Sequence, residues 1–305
     1  MCRFINPFID YGFKKLFATE GNKDILISFL NAVIEDNADP VIDLTYKNVE
    51  QIGEFNGIRI SYFDVYCQTV NGRRFIVEMQ NSWQHFFKDR TLYYAAKAIR
   101  DQGIKDDPSL RELQEEKSEP EKWNYHLQEV YLIAVMNFNF PKSEYPPSEY
   151  YHKVMLTDLN DHHVFYDKLT LIYLEMRKVG KANLDMNRPL DRWLKVIYRL
   201  WGGEDCPPEL DEPVFKKLYR QAEFACLTPD QQLTYERSRK YFLDTYNEIE
   251  GGRILGREEG REIGREEGRE EGRKEALLEI AKKLLAMGID KTAIAEATGW
   301  DGEYL

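Results

Sequence analysis

Residues 62–80, YFDVYCQTVNGRRFIVEMQ, decide how this chain folds. On the first arm Phe63, Val65 and Cys67 alternate with Tyr62, Asp64 and Tyr66; on the second Phe75, Val77 and Met79 alternate with Arg74, Ile76, Glu78 and Gln80. A period of two on both arms predicts a β-hairpin. A two-residue Asn71-Gly72 turn would pair Val70 with Arg73 and send the two apolar sets to opposite faces, so the pattern rejects it. A three-residue loop, Val70-Asn71-Gly72 with Gly72 left-handed, pairs Thr69 with Arg73 and therefore Asp64 with Glu78. Opposed residues on paired strands have Cβ atoms about 4.5–5.5 Å apart, which sets two carboxylates on one face with Gln80 diagonally beside them. Like charges that close need a cation or a shared proton. The alternative is an acidic strand face left in water.

Working outward, KKLF and NKDILISFLNAVIED place Leu26, Phe29, Leu30 and Val33 at helical spacing, with Asn22 as N-cap. VIDLTYKNVE (41–50) reads as a strand, and the hairpin supplies the next two. The helix that follows, WQHFFKDRTLYYAAKAIRDQG, groups Leu92, Ala95, Ala96 and Ile99 on one face and Arg90, Tyr94 and Lys97 on the other, with Gly103 ending it. Residues 106–124 are acidic, polar and interrupted by prolines, the composition of an exposed insertion. HLQEVYLIAVMNF (126–138) is a buried strand. YYHKVMLTD (150–158) and LTLIYLEMRKV (169–179) are further strands, and RPLDRWLKVIYRLWGG and 213–249 are helical. DLNDHHVFYD (158–167) has the residue types of a metal cluster, but adjacent His162 and His163 on an extended chain point to opposite sides, which favours a loop.

An Asp on the second strand, Glu-x-Gln (EMQ, 78–80) on the third and Arg-x-x-x-Tyr (90–94) on the next helix resemble the PD-(D/E)XK nuclease superfamily. INPFIDYGFKKLFATEGNKDILISFLNAVI, FIVEMQ, RTLYYAAKAI and LTLIYLEMRK are more closely similar to the Rpn family of recombination-promoting nucleases, the PD-(D/E)XK transposase-like proteins. The likeness covers roughly residues 3–200 and, with the tail, most of the chain. It implies an α/β fold with a restriction-endonuclease-like core, a mixed central sheet flanked by helices, and a helical C-terminal extension. It also implies Mg2+- or Mn2+-dependent hydrolysis of phosphodiester bonds in DNA. The implied metal ligands are Asp64, Glu78 and the backbone carbonyl of Met79; Asp64, Glu78 and Gln80 are the implied catalytic residues, and Arg90, Tyr94 and Lys97 the substrate-binding ones. Phosphodiester hydrolysis needs a Lewis acid and an activated water, which paired carboxylates around a hard divalent ion supply. The chain departs from the superfamily at Gln80, where Lys is usual: an amide orients a water but brings no positive charge. A catalytically weak nuclease fold that binds DNA or a protein partner is the alternative, and an assembly protein acting as an oligomer is a third. Asp10 and Glu20 are weaker candidates to approach the metal from the first helix.

The chain has 305 residues, is 43% hydrophobic and carries a net charge of −11. The excess acid lies outside the first 105 residues, so the global charge weakens a nucleic-acid partner without excluding one. Scattered Cys2, Cys67, Cys206 and Cys226 have no zinc-ligand spacing. The sequence has no run of 18 apolar residues and no signal-peptide pattern, so a cytoplasmic protein without a membrane partner is expected. The expected organisation is a nuclease-like domain over 1–200, a helical extension over 201–250, a helical or flexible linker over 251–275 and a small helical tail over 276–305. The linker repeats glycine at 256, 260, 264, 268 and 272, with Glu258, Glu262, Glu266 and Glu270 each three residues before an Arg. A glycine stripe permits close helix approach, hence a homo-oligomer, whereas the plainer reading is a solvated, partly frayed helix. The last segment resembles the first part of a helix-turn-helix and ends at Leu305, too early for a full recognition helix.

Overall fold

The computed structural model describes residues 3–36, 38–47, 50–51, 61–106, 125–141 and 144–299. The expected insertion at 106–124 thus lies almost entirely outside the described residues. The chain divides into two compact units, Met1–Arg239 and Lys240–Leu305.

The first unit is built on a mixed sheet. Strands β1 (Leu44–Tyr46), β4 (Val65–Thr69), β5 (Arg74–Gln80), β6 (Val130–Met136), β7 (Tyr151–Thr157) and β8 (Val164–Glu175) are ordered β1-β4-β5-β6-β8-β7, while β2 (Glu50–Gln51) and β3 (Ser61–Tyr62) pair separately. The first three strands run as an antiparallel meander; β5, β6 and β8 are mutually parallel, and β7 closes the edge antiparallel to β8. Every residue of β6 is buried, as expected of a central parallel strand.

Helix α3 (Phe87–Asp106) packs on one face of the sheet, where Phe63, Tyr66, Ile76, Ala95, Ala98, Leu132, Ala134 and Tyr173 form one core. Residues of the opposite parity, Val65, Cys67, Phe75, Val77, Ile133 and Val135, are equally dry. A helical layer of α1 (Asp10–Phe17), α2 (Lys23–Ile34), α5 (Pro189–Trp201) and α6 (Pro213–Ala222) is centred on Trp193, whose ring meets Phe17, Phe29 and Phe215. Tyrosines on the two edge strands tie this layer to the sheet: Tyr46 donates to the Phe17 carbonyl (2.7 Å) and Tyr151 to that of Val33 (3.1 Å).

Several sequence expectations are corrected here. Of the 41–50 strand, Leu44–Tyr46 forms β1 and Glu50 begins β2, residues 41–43 are not strand, and 48 and 49 lie outside the described residues. Helix α3 runs past Gly103, and its buried face is Phe87, Thr91, Ala95, Ala98 and Gln102, with Leu92 and Tyr93 outside. Small Ala95 and Ala98 allow close approach to the sheet, and polar anchors fix it: Arg74 donates to the Ala98 carbonyl (2.6 Å), while Gln102 brackets the backbone of Gln128. Strand β8 starts at Val164 and stops at Glu175, after which Met176–Val179 (α4) turns helical. The turn lets Lys178 reach back three residues to Glu175 (2.7 Å), whose buried carboxylate also meets His152 (2.6 Å) and the Phe140 N–H (2.9 Å). The 213–249 helix is broken after α6 because the N-terminal segment docks there: the Ile5 N–H takes the Ala222 carbonyl (2.8 Å) and the Phe224 N–H takes that of Arg3 (2.9 Å). Asn22 precedes α2, but its amide donates to the Lys15 carbonyl (2.9 Å) and makes no cap hydrogen bond.

Helix α7 (Pro229–Ala286) starts in the first unit, where Tyr235 is buried and accepts from the Asn6 N–H (2.9 Å). The glycine repeat lies inside this helix, with open space at each of its five glycines. In the second unit, Gly288 (φ +83°) turns the chain into α8 (Lys291–Thr298), capped by the Asp290 carboxylate accepting from Thr292 N–H (3.0 Å). None of the helices among the described residues is long and apolar enough to cross a membrane.

The glycine of the DYGFKKLF segment has a steric reason. A Cβ at Gly12 would lie 2.2 Å from the backbone oxygen of Asn6, because α1 starts directly against the chain that precedes it. Gly12→Ala is expected to lower stability by about 1–3 kcal/mol, the usual cost of overpacking, measured by urea unfolding with an unchanged m-value.

Candidate metal centre

The site begins where the β4–β5 ladder ends. Thr69 N–H donates to the Arg73 carbonyl (2.9 Å) and Gly72 N–H to that of Thr69 (3.0 Å), with Gly72 at φ +89°. This is the three-residue loop expected from the sequence, and its register, Val65 opposite Val77 through Gln68 opposite Arg74, extrapolates to Asp64 opposite Glu78. Hydrogen-bonded pairs alternate along an antiparallel ladder, so the next bonded pair after Val65 and Val77 would be Phe63 with Met79. Instead the chain bends at Asp64, and the Asp64 carboxylate accepts the Met79 N–H at 2.7 Å. The acids are therefore not two strand residues standing side by side. One reaches across to the backbone beside the other. The N–H and C=O of a strand residue share an edge, so the Met79 carbonyl faces the opening that Asp64 lines.

Glu78 sits in a row with buried Ala134 and Tyr173 and is only 4% exposed. That excludes the solvated acidic face. Its Oε1 has no hydrogen-bond partner among the described residues, and Oε2 lies 3.5 Å from Gln80 Nε2. Burial pushes the Glu78 carboxyl well above its ordinary value, and the charge of Asp64 pushes it further; Arg90, the Asp64 N–H and Lys14 pull it back. Burial likewise raises Asp64, to about 6, against the Met79 N–H bond and the charges of Lys14 and Arg90, with Asp10 adding to the rise.

Arg90 is held at the N-terminal end of α3 by a hydrogen bond to Gln84 and stacks its guanidinium over Phe87 (5.5 Å) and Tyr94 (5.8 Å). Its Nε and Nη2 are buried and lack hydrogen-bond partners among the described residues. Tyr94 packs edge-on against Phe63, and its hydroxyl is raised by burial and by the charge of Glu78. Lys97, one turn on, is buried with its ammonium 5.1 Å from the Tyr93 ring centre. The residue that sequence reasoning passed over is Lys14. It pairs with Asp10 (2.6 Å) on α1, and its charge reaches both acids. The signal was present in DYGFKKLF, where four-residue spacing puts Asp10 and Lys14 on one helix face. Glu20 instead pairs with Lys23 (3.2 Å).

Away from this site, Asp158, Asp161 and His163 bring ligand atoms within 4.8 Å of one another. They occupy the β7–β8 turn, and their polar atoms serve the turn itself: Asp158 accepts from the Asn160 N–H (2.8 Å) and Asp161 from the His163 N–H (3.2 Å). This is the loop expected from the sequence.

A bend that spends an aspartate on the backbone of a Glu-x-Gln strand, under a helix carrying Arg-x-x-x-Tyr, narrows the comparison. The family model described as PD-(D/E)XK nuclease family transposase matches residues 7–252. The chain belongs to this family. Neither a curated protein nor a solved structure matches it. PD-(D/E)XK membership implies a phosphodiester hydrolase, and enzymes of this fold typically use divalent metals. The residues here fit such an ion: two carboxylates and one backbone carbonyl are hard oxygen donors, and Glu78 Oε1 is a buried acceptor without a partner among the described residues.

The raised acids set the sign of the pH dependence. A carboxyl whose folded pKa lies above its unfolded value binds more protons in the native state, so stability falls as pH rises between the two. For Asp64 that window runs from about 4 to about 6. Metal-free protein is expected to lose stability, of order 2 kcal/mol, from pH 4.5 to 7 through Asp64, and Glu78 acts in the same direction. Asp64→Asn should flatten that decline and stabilise the metal-free protein at pH 7, as read from urea midpoints in EDTA.

Proposed function

We propose that the chain is a divalent-metal-dependent DNA endonuclease of the recombination-promoting (Rpn) type. The observation that carries this reading is a half-buried Asp64 beside a buried Glu78 at one ladder end, with an acceptor oxygen of Glu78 left without a partner among the described residues. A charge arrangement this unfavourable in the bare protein is the arrangement a cation site requires.

Asp64, Glu78 and the Met79 carbonyl hold the ion in this reading. Bound Mg2+ or Mn2+ would polarise a phosphoryl oxygen and lower the pKa of a water. The Met79 N–H bond fixes the Asp64 carboxylate, so the chain keeps its ligands in place before substrate arrives. Gln80, at the end of β5 beside Glu78, orients the attacking water through its amide. The positive charge that Gln80 lacks comes from α1: Lys14, oriented by Asp10, stands in the field of both acids. In this reading Nε and Nη2 of Arg90, without partners among the described residues, bind the phosphate, Tyr94 completes the wall beside Glu78, and Lys97, buried against the Tyr93 ring, adds its charge to the same side of α3.

Nicking of supercoiled plasmid in Mg2+ or Mn2+ tests the reading. Wild type should cut, and Asp64→Ala and Glu78→Ala should abolish cutting. Gln80→Ala and Lys14→Ala should each slow it about 10- to 1000-fold, the scale of losing one positioned group at a reacting centre. Gln80→Lys should stay active. Wild type that binds DNA without cutting would instead support a binding module, and cutting that survives in both acid variants would remove this site from the chemistry.

A further inference from the structure

We infer that an aromatic and cationic strip along the start of α3 receives an unpaired DNA strand, so that the enzyme acts on single-stranded or locally opened DNA. This rests on the nuclease reading and specifies its substrate. The helical period carries Phe86, Arg90 and Tyr93 onto one face, with the guanidinium of Arg90 between the two rings and Lys97 buried behind Tyr93. Phe86 caps the helix, its carbonyl accepting from the Arg90 N–H (3.0 Å), while its ring is 68% exposed. Tyr93 is 48% exposed, beneath the ammonium of Lys97. Trp83 precedes them in the loop leaving β5: it stands edge-on against Phe138 (5.6 Å) and Phe140 (6.2 Å), which fixes the indole while leaving it 44% exposed.

Single exposed apolar residues are ordinary, but three large exposed rings gathered about the guanidinium that borders the acid pair are not. Arg90 makes the continuity, since it belongs to the strip and its charge acts on Glu78 and Asp64. Phe86 and Tyr93 are separated by about 10 Å along the helix, room for successive bases to be taken up with a phosphate at the cation between them. Ring faces bind base faces. In a duplex those faces are hidden in the stack, so rings on an open surface meet only sugar and phosphate; an unpaired strand offers a face at every base. Asp89, at the edge of the strip, disfavours a second backbone beside the first.

The test uses the full chain in calcium and measures fluorescence anisotropy with a labelled, unstructured oligonucleotide of about 15 nucleotides and its blunt duplex, a length spanning typical single-strand sites. Wild type should bind the single strand at least about tenfold more tightly than the duplex, and Phe86→Ala/Tyr93→Ala should weaken single-strand binding by roughly 10- to 100-fold while changing duplex binding less than about twofold. Trp83→Phe, which keeps the packing on Phe138 and Phe140, should remove the tryptophan quenching seen on binding the single strand. Unaltered single-strand binding by the double variant, or equal losses for both DNAs, would overturn the strip as a stacking surface and leave the nuclease reading standing. A wild type that binds neither DNA would overturn both, and duplex binding alone would overturn this inference only.

Discussion

The hydrogen bond from the Met79 N–H to the Asp64 carboxylate is the point on which the site depends. It replaces the next rung of an antiparallel ladder with a side chain, and the replacement has three consequences. The β4 strand bends away at Asp64, the backbone edge of Met79 is opened, and a carboxylate is delivered beside Glu78 without a direct cross-strand pair. Burial then makes the arrangement costly. Both faces of the sheet are covered, so Glu78 is shut off from water and Asp64 largely so, and both carboxyls are pushed upward. The cations that offset this come from different parts of the chain, Lys14 from α1 and Arg90 from α3. The helices that build the core are thus also those that set the electrostatics.

This explains why an otherwise apolar, well-packed sheet keeps unsatisfied groups at the end of β5. Glu78 Oε1 and the Nε and Nη2 of Arg90 are buried without partners, whereas the other buried carboxylate in this part of the sheet, Glu175, is fully engaged by His152, Lys178 and the Phe140 N–H. Two buried glutamates on parallel strands, with β6 between them, are therefore treated differently by the fold. The engaged one closes the end of β8, while Glu78 keeps one oxygen without a partner among the described residues, the oxygen that the proposed reading gives to the ion.

Much of this was legible in the sequence because it depends on period and turn chemistry. The parity of the apolar residues and the left-handed demand on Gly72 fixed the register, and the register brought Asp64 to Glu78. What the sequence hid depends on long-range packing. The inward face of α3 was misread because Ala95 and Ala98 are chosen for closeness and Thr91 for its hydrogen bond to Tyr173 (2.8 Å), so hydrophobicity alone pointed to Leu92. The bend at Asp64 could not be read from alternation, since the residue keeps its place in the pattern while leaving the strand. Lys14 was missed because its spacing to Asp10 explains it as a surface pair, and only the fold brings α1 to the end of β5.

The central claim is that the acid pair is a cation site held partly protonated until the ion arrives. Isothermal titration of Mn2+ into metal-free protein, repeated in buffers of different ionisation enthalpy, measures both binding and the protons it displaces. The account predicts binding by wild type with proton release at pH 6 that shrinks by pH 8, and loss of binding in Glu78→Gln. Equal binding by Glu78→Gln, or binding by wild type without proton release at pH 6, would contradict it.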